Sequence, residues 1–233
     1  MVFVNYSTTV SFQSKTYRSS LFQSFKAIDA GEFRQVVRYY ERNEKAILQL
    51  DFDEYFEIFI AYTNALFEIS DYRKHILMAD VVIETSIVEN ISIVNGQEIF
   101  QSMLFRKAAS HYNLLEYRKA IHVLRELLKI EPNNQDNARF LEQCLREEKP
   151  QLVRHARAIA IILFLSAALT VSIEVLIVRN FYPSWASIIE ISRNSMFCLG
   201  LFILLGGILL HRWKCFSEVQ RFIAEVKQNK IKR

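Results

Sequence analysis

Apolar positions recur at helical spacing through most of the first 148 residues. Ala120, Leu124, Leu127 and Leu128 form one stripe, and Ile76, Ala79, Val82 and Ile83 form another. Residues repeating at three- and four-residue intervals lie on one side of an α-helix and seek a core. Strand-like alternation is confined to Val2–Thr9 and Ile91–Val94. The spacing predicts an all-α domain over residues 1–150. Its helices fall at about 19–29 with 32–44, 54–69 with 72–86, and 97–113 with 117–130, and a last helix covers about 135–148. One helix pair cannot bury such stripes alone, whereas three pairs and a capping helix can.

The pattern changes after residue 150. Ala158–Val178 is apolar apart from Ser166, Thr170, Ser172 and Glu174, and Ser195–Leu210 is apolar up to His211, Arg212 and Trp213. About 20 apolar residues cross a hydrocarbon core of roughly 30 Å. Residues 151–211 are therefore expected to form two transmembrane helices, at about 158–178 and 195–211, joined by a short outer loop. The aromatics Phe181, Tyr182 and Trp185 of that loop suit a membrane interface. Beyond them, Phe216, Val219, Phe222, Ile223 and Val226 repeat at helical spacing among Lys214, Arg221, Lys227 and Lys230. The tail 212–233 thus reads as a basic amphipathic helix suited to the headgroup plane and to anionic lipid, or else to docking on the helical domain.

Charge sets the expected orientation. Arg146, Lys149, Arg154 and Arg157 precede the first apolar run, and Arg212, Lys214 and Arg221 follow the second; the intervening loop has only Arg179 and Arg193. Basic residues near spans stay on the cytoplasmic side. The expectation is an integral membrane protein with two spans and both termini cytoplasmic. The first fifteen residues have no basic start, apolar centre or small-residue cleavage site, so no secretory signal is expected. Residues 1–150 carry a net charge of −3 and residues 151–233 one of +7. That asymmetry argues against nucleic acid as a partner and for anionic headgroups. Five glycines and three prolines favour long helices, and Cys144, Cys198 and Cys215 make no disulfide framework.

The stretch Leu104–Asn134, LFRKAASHYNLLEYRKAIHVLRELLKIEPNN, resembles a tetratricopeptide repeat. With Pro132 at the repeat's proline, Leu104 takes the usual Trp position, Ala108 the small one and His111 the aromatic one. Tyr117, Ala120 and Leu124 take the second helix's Tyr, small and large apolar positions. Lys107 and Leu115 depart from the usual Leu and turn Gly. Echoes lie at Ile69–Ile76 and at Asp29–Val37, the latter keeping a turn glycine as Gly31. The resemblance implies a degenerate stack of three antiparallel helix pairs plus a cap. It also implies a concave groove, lined by first helices, that takes a peptide or helix from another protein. Carried onto this chain, the groove positions are Phe105, Ala109, Tyr112 and Asn113 in the third pair. They are Ile60, Asn64, Phe67 and Glu68 in the second, and Arg139, Gln143 and Arg146 in the cap.

No pattern for chemistry accompanies these helices. The sequence has no phosphate-binding glycine loop, no Cys-x-x-Cys and no His-Glu-x-x-His. His75, His111, His122, His155 and His211 stand apart from metal-ligand spacing. The expectation is a protein with no catalytic, cofactor or metal site. Glu174, about one turn from the outer end of its span, is expected to snorkel or to pair with Arg179. Gly200, Gly206 and Gly207, with Ala160, Ala167 and Ala168, permit close helix approach within the hairpin or a homo-oligomer. The reading is a membrane-anchored adaptor or scaffold. Its alternative is a membrane effector whose hairpin oligomerises or perturbs the bilayer under control of the cytoplasmic domain.

Overall fold

The computed structural model describes residues 19–94, 96–148, 151–178 and 186–232. Val2–Thr9, Lys149, Arg179 and the loop aromatics Phe181, Tyr182 and Trp185 lie outside the described residues. The described residues are all-α apart from one short ribbon. In order, the helices are α1 (Ser20–Lys26), α2 (Phe33–Ile47), α3 (Phe52–Glu68), α4 (Tyr72–Val88), α5 (Ile99–Asn113), α6 (Tyr117–Ile130), α7 (Gln135–Glu148), α8 (Gln151–Ile173) and α9 (Ala186–Ile231). A π-helical turn, Glu174–Val178, continues α8. Strand β1 (Ile93–Val94) pairs antiparallel with β2 (Gln97–Glu98), so the expected strand at Ile91–Val94 shrinks to two residues. Two compact units divide between Leu141 and Glu142.

In the first unit the turns explain the helix boundaries. Backbone turns positive at Gly31 (φ 106°), Ser70 (φ 66°) and Leu115 (φ 61°). These positions stand two residues before Phe33, Tyr72 and Tyr117, the first residues of α2, α4 and α6. After α5, the Glu116 N–H donates to the His111 carbonyl and the Leu115 N–H to that of Tyr112. After α3, the Asp71 N–H donates to Leu66 and the Ser70 N–H to Phe67. Both are Schellman closures, which satisfy the last carbonyls through one left-handed residue. Asn90 (φ 53°) ends α4 the same way, with the Ile91 N–H on the Ser86 carbonyl. Helix α6 stops at Ile130 because Pro132 pushes Glu131 out of helical backbone (φ −122°, ψ 79°). Asn134 then accepts from the Asp136 and Asn137 N–H groups at 3.1 and 3.2 Å, which starts α7.

The core of this unit runs from Phe22 and Phe25 of α1 through Tyr40 and Ile47 of α2 to Phe56, Leu66, Val82 and Met103. Tyr40 stacks on Tyr62 at 4.0 Å. The α6 stripe Ala120, Leu124, Leu127 and Leu128 is buried as its spacing predicts. Each such leucine contributes about 2 kcal/mol by leaving water.

The second unit contains α8 and α9, each long and apolar enough to cross a membrane. They are joined by a seam of small side chains. A Cβ on Gly207 would collide with the Cβ of Ala156, and one on Gly200 would stand 2.9 Å from the Phe164 ring. Ala160 and Ala167 are buried on α8. Gly206 and Ala168 are not part of the seam: Gly206 faces open space and Ala168 is exposed. Helix α9 corrects one expectation. Residues 212–231 are not a separate helix but continue the second span without a break. No Gly or Pro occurs between Ile208 and Ile231, so nothing stops the helix where hydropathy changes. Cys215 and Val219 on this continuation are buried.

Candidate functional site

The expected groove residues of the first unit divide into three groups. Ile60 is a correction: it is 7% exposed and belongs to the core cluster, so it offers no surface to a partner. Phe56, Phe59 and Ile60 all turn inward along α3.

A second group is brought together as an aromatic cluster. Phe105 and Tyr112, two turns apart on one face of α5, both meet Phe140 of α7, at 5.4 and 5.5 Å between ring centres. Tyr112 also meets Tyr117 edge-on at 5.4 Å. Ala109 is half-buried between Phe105 and Tyr112 in sequence, and Asn113 is exposed at the end of the helix. Such ring pairs contribute about 1 kcal/mol each beyond their area. Tyr112 is therefore a packing residue as well as a surface one. Phe140 escaped the sequence reading because only the α5–α7 contact reveals its role.

The third group bridges α3 and α5. Glu68 accepts from the Arg106 Nη1 at 2.9 Å. The guanidinium also lies over the Phe67 ring, 5.2 Å from its centre. Arg106 was the missing member, although it stands seven residues before Asn113 and so shares its side of α5. Asn64 lies one turn from Glu68 on α3 and is half-buried; its Oδ1 has no hydrogen-bond partner among the described residues. Beside this bridge an open depression of about 380 Å³ is bordered by Gln101, Phe105, Arg106, Leu127 and Asn137. On α7, Arg139 is exposed beside Asp136, 3.7 Å away. Gln143 and Arg146 fall in the second unit. There Gln143 is exposed, and the Arg146 carbonyl is 3.1 Å from the His211 Nε2.

Ionisable groups inside the first unit are structural in placement. His75 is fully buried with Nδ1 2.8 Å from the Ser110 Oγ. Burial lowers its pKa to about 4, with a smaller contribution from Arg106. His111 is buried with Nδ1 2.7 Å from a Glu116 carboxylate oxygen. That contact, and then Lys119, hold the Glu116 carboxyl below its ordinary value. His122 is exposed. Among the described residues no three His, Cys, Asp or Glu side chains gather where they could hold a metal ion. In the second unit, burial pushes the Cys144 thiol up to about 12.

In the second unit Glu174 is buried and its Oε2 lies 2.8 Å from the Arg193 Nη1 of α9. One of its partners is thus across the hairpin; Arg179 lies outside the described residues. The hydroxyls of Ser166, Thr170 and Ser172 donate to carbonyls of their own helix, those of Leu163, Ser166 and Ala168. The exposed surface of the pair is apolar, with Ile162, Leu165, Leu169, Phe202, Leu205 and Leu209 outermost. Arg154, Arg157, Arg212 and Lys214 are exposed around one end. No protein-family model matches this chain, and no curated protein or solved structure does.

Proposed function

We propose that this chain is a membrane-anchored protein-interaction module. A hairpin of two spans, α8 and α9, holds it in the bilayer with both termini cytoplasmic. The observation that carries the anchor is the exposure of the apolar helices. Most side chains of both helices are exposed, whereas a core helix of a water-soluble protein would be mostly covered. Leaving so many Leu, Ile and Phe side chains in water costs far more than a domain's net stability. Lipid is the solvent that removes that cost. The basic residues Arg154, Arg157, Arg212 and Lys214 then face anionic headgroups, at about 1 kcal/mol each.

The adaptor half of the reading treats the first unit as a degenerate tetratricopeptide-like stack. Three features support it. The turns before α2, α4 and α6 share one register. Successive first helices touch: Lys26 of α1 pairs with Glu57 of α3, Glu68 of α3 with Arg106 of α5, and Phe105 of α5 meets Phe140 of α7. Two of the second helices also pack on the next first helix, α2 on α3 and α4 on α5. The partner surface is then the α3–α5 bridge with Asn64, Phe67, Glu68, Arg106 and Asn113, extended by Arg139. The self-satisfied hydroxyls of α8 favour an anchor over a pore, since they offer no polar stripe to a water-filled lumen.

Exchange of residues 151–211 for an unrelated two-span anchor separates the adaptor from the effector. Proteins recovered with the native chain from gently solubilised membranes should be recovered equally with the exchanged chain. Recovery that depends on the native hairpin would refute the adaptor reading.

A further inference from the structure

We infer that one side of the hairpin holds a lipid carrying two phosphates, with Arg154 and Arg157 of α8 and Arg212 of α9 as its phosphate ligands. The inference rests on the anchor reading above and names the lipid that this anchor selects. Its basis is where the basic side chains stand relative to the seam. An α-helix turns about 100° per residue. On α8 the buried line is Val153, Ala156, Ala160 and Ala167. Arg154 follows Val153 and Arg157 follows Ala156, each by one position, so both turn from that line in the same sense. On α9 the line is Gly200, Gly207 and His211, and Arg212 follows His211 by one position.

The helices run antiparallel: Gly207 meets Ala156 near one end, and Arg193 meets Glu174 near the other. In an antiparallel pair the same sense of rotation leads to the same side. The three arginines therefore share one side of the hairpin. With Gly207 level with Ala156, they span about 9 Å along the helix axes. Lys214 precedes the buried Cys215 by one position and stands on the opposite side. Above the arginines, toward the loop, Ile161 follows Ala160 and Leu201 follows Gly200, so their side is apolar there.

The cluster lacks an anion of its own. Arg106, Arg146 and Arg193 are matched by Glu68, Glu142 and Glu174. Arg154, Arg157 and Arg212 are exposed, and none has an ion-pair partner among the described residues. No Asp or Glu occurs from Lys149 to Ile173 or from Ile191 to Ser217. Guanidinium groups bind phosphate through paired N–H donors, and basic pockets between spans take phosphate headgroups. A lipid with one phosphodiester has one charge, which leaves most of the cluster unmatched. Two phosphates joined through one glycerol match both helices. One sits at Arg154 and Arg157, which are neighbours three positions apart on α8. The other sits at Arg212, and the acyl chains run along Ile161 and Leu201.

The test reconstitutes the full chain in phosphatidylcholine vesicles. Electron spin resonance of spin-labelled diphosphatidylglycerol, phosphatidylglycerol and phosphatidylcholine gives the fraction of each lipid that the protein immobilises, and hence their relative affinities. The expected order places diphosphatidylglycerol about fivefold or more above phosphatidylglycerol, the factor that a further basic contact carries. Arg212→Gln, or Arg154→Gln with Arg157→Gln, should abolish that preference, and Lys214→Gln should leave it intact. Equal affinities in the native chain overturn the inference alone, with no variant needed. So does a preference that survives Arg212→Gln, or one that Lys214→Gln lowers as much as Arg212→Gln does, since either marks attraction by net charge. Extraction of the native chain from every vesicle population at alkaline pH overturns the anchor reading as well.

Discussion

His75 makes the stability of the first unit depend on pH in a defined window. The ring has no exposed surface on α4. Its Nδ1 meets Ser110 at 2.8 Å, the Phe67 ring meets it edge-on at 5.3 Å, and Nε2 has no hydrogen-bond partner among the described residues. Burial, and secondarily the positive charge of Arg106, lower its pKa from 6.5 to about 4. The folded state therefore refuses a proton that the unfolded chain accepts. Between pH 6.5 and about 4 the unfolded state binds more protons, so stability falls as pH is lowered through that window. Above it both states are neutral, and below it both are charged. At about 1.4 kcal/mol per pH unit, the interval carries about 3 kcal/mol. His75→Leu combined with Ser110→Ala removes the titrating ring and the hydroxyl it would leave unpaired. Urea unfolding of the full chain in detergent micelles, followed by helical circular dichroism at pH values from about 7 to about 4, reads both proteins. The native chain should lose about 3 kcal/mol more than the variant over this range. Parallel pH profiles would refute the argument from burial.

The hairpin seam, one turn and the aromatic cluster give further tests. Gly207→Ala should weaken α8–α9 association by about 1–3 kcal/mol, the usual cost of overpacking, and Ala156→Gly in the same chain should restore most of it; two additive effects in a double-mutant cycle would argue against the contact. Leu115 is 71% exposed at φ 61°, a conformation that costs a non-glycine residue about 1 kcal/mol or more. Leu115→Gly should therefore raise the unfolding midpoint modestly, and a lowered midpoint would mean the Leu side chain contributes more than its exposure suggests. Tyr112→Ala should cost about 2–3 kcal/mol through Tyr117 and Phe140, while Asn113→Ala should leave the midpoint unchanged; equal effects would contradict the cluster.

Much of the fold was legible from periodicity and punctuation. The ends of α5 and α6 fall where the spacing predicts them, because Pro132 and the turn before Tyr117 act locally on the backbone. The equivalence of Gly31, Ser70 and Leu115 was legible only in part. A glycine announces left-handed backbone, but serine and leucine do not, and the closing hydrogen bonds reveal them. The break at residue 212 was misread because a change in hydropathy marks a change of solvent, and α9 carries no residue that ends a helix there. Contacts between distant positions were invisible. Glu174 finds Arg193 nineteen residues on, Phe140 clamps Phe105 and Tyr112, and Ile60 turns inward although its place in the alignment pointed outward. Each depends on how two helices cross, which periodicity within either helix does not fix.

The membrane hairpin is the claim on which the rest depends, and its topology is directly measurable. A single cysteine placed between residues 183 and 190, and a reporter fused after Arg233, would be examined in intact cells with a membrane-impermeant maleimide. The account predicts that the loop cysteine labels from outside while the C-terminal reporter stays cytoplasmic. Labelling of the loop only after lysis, or a C-terminus accessible from outside, would contradict it.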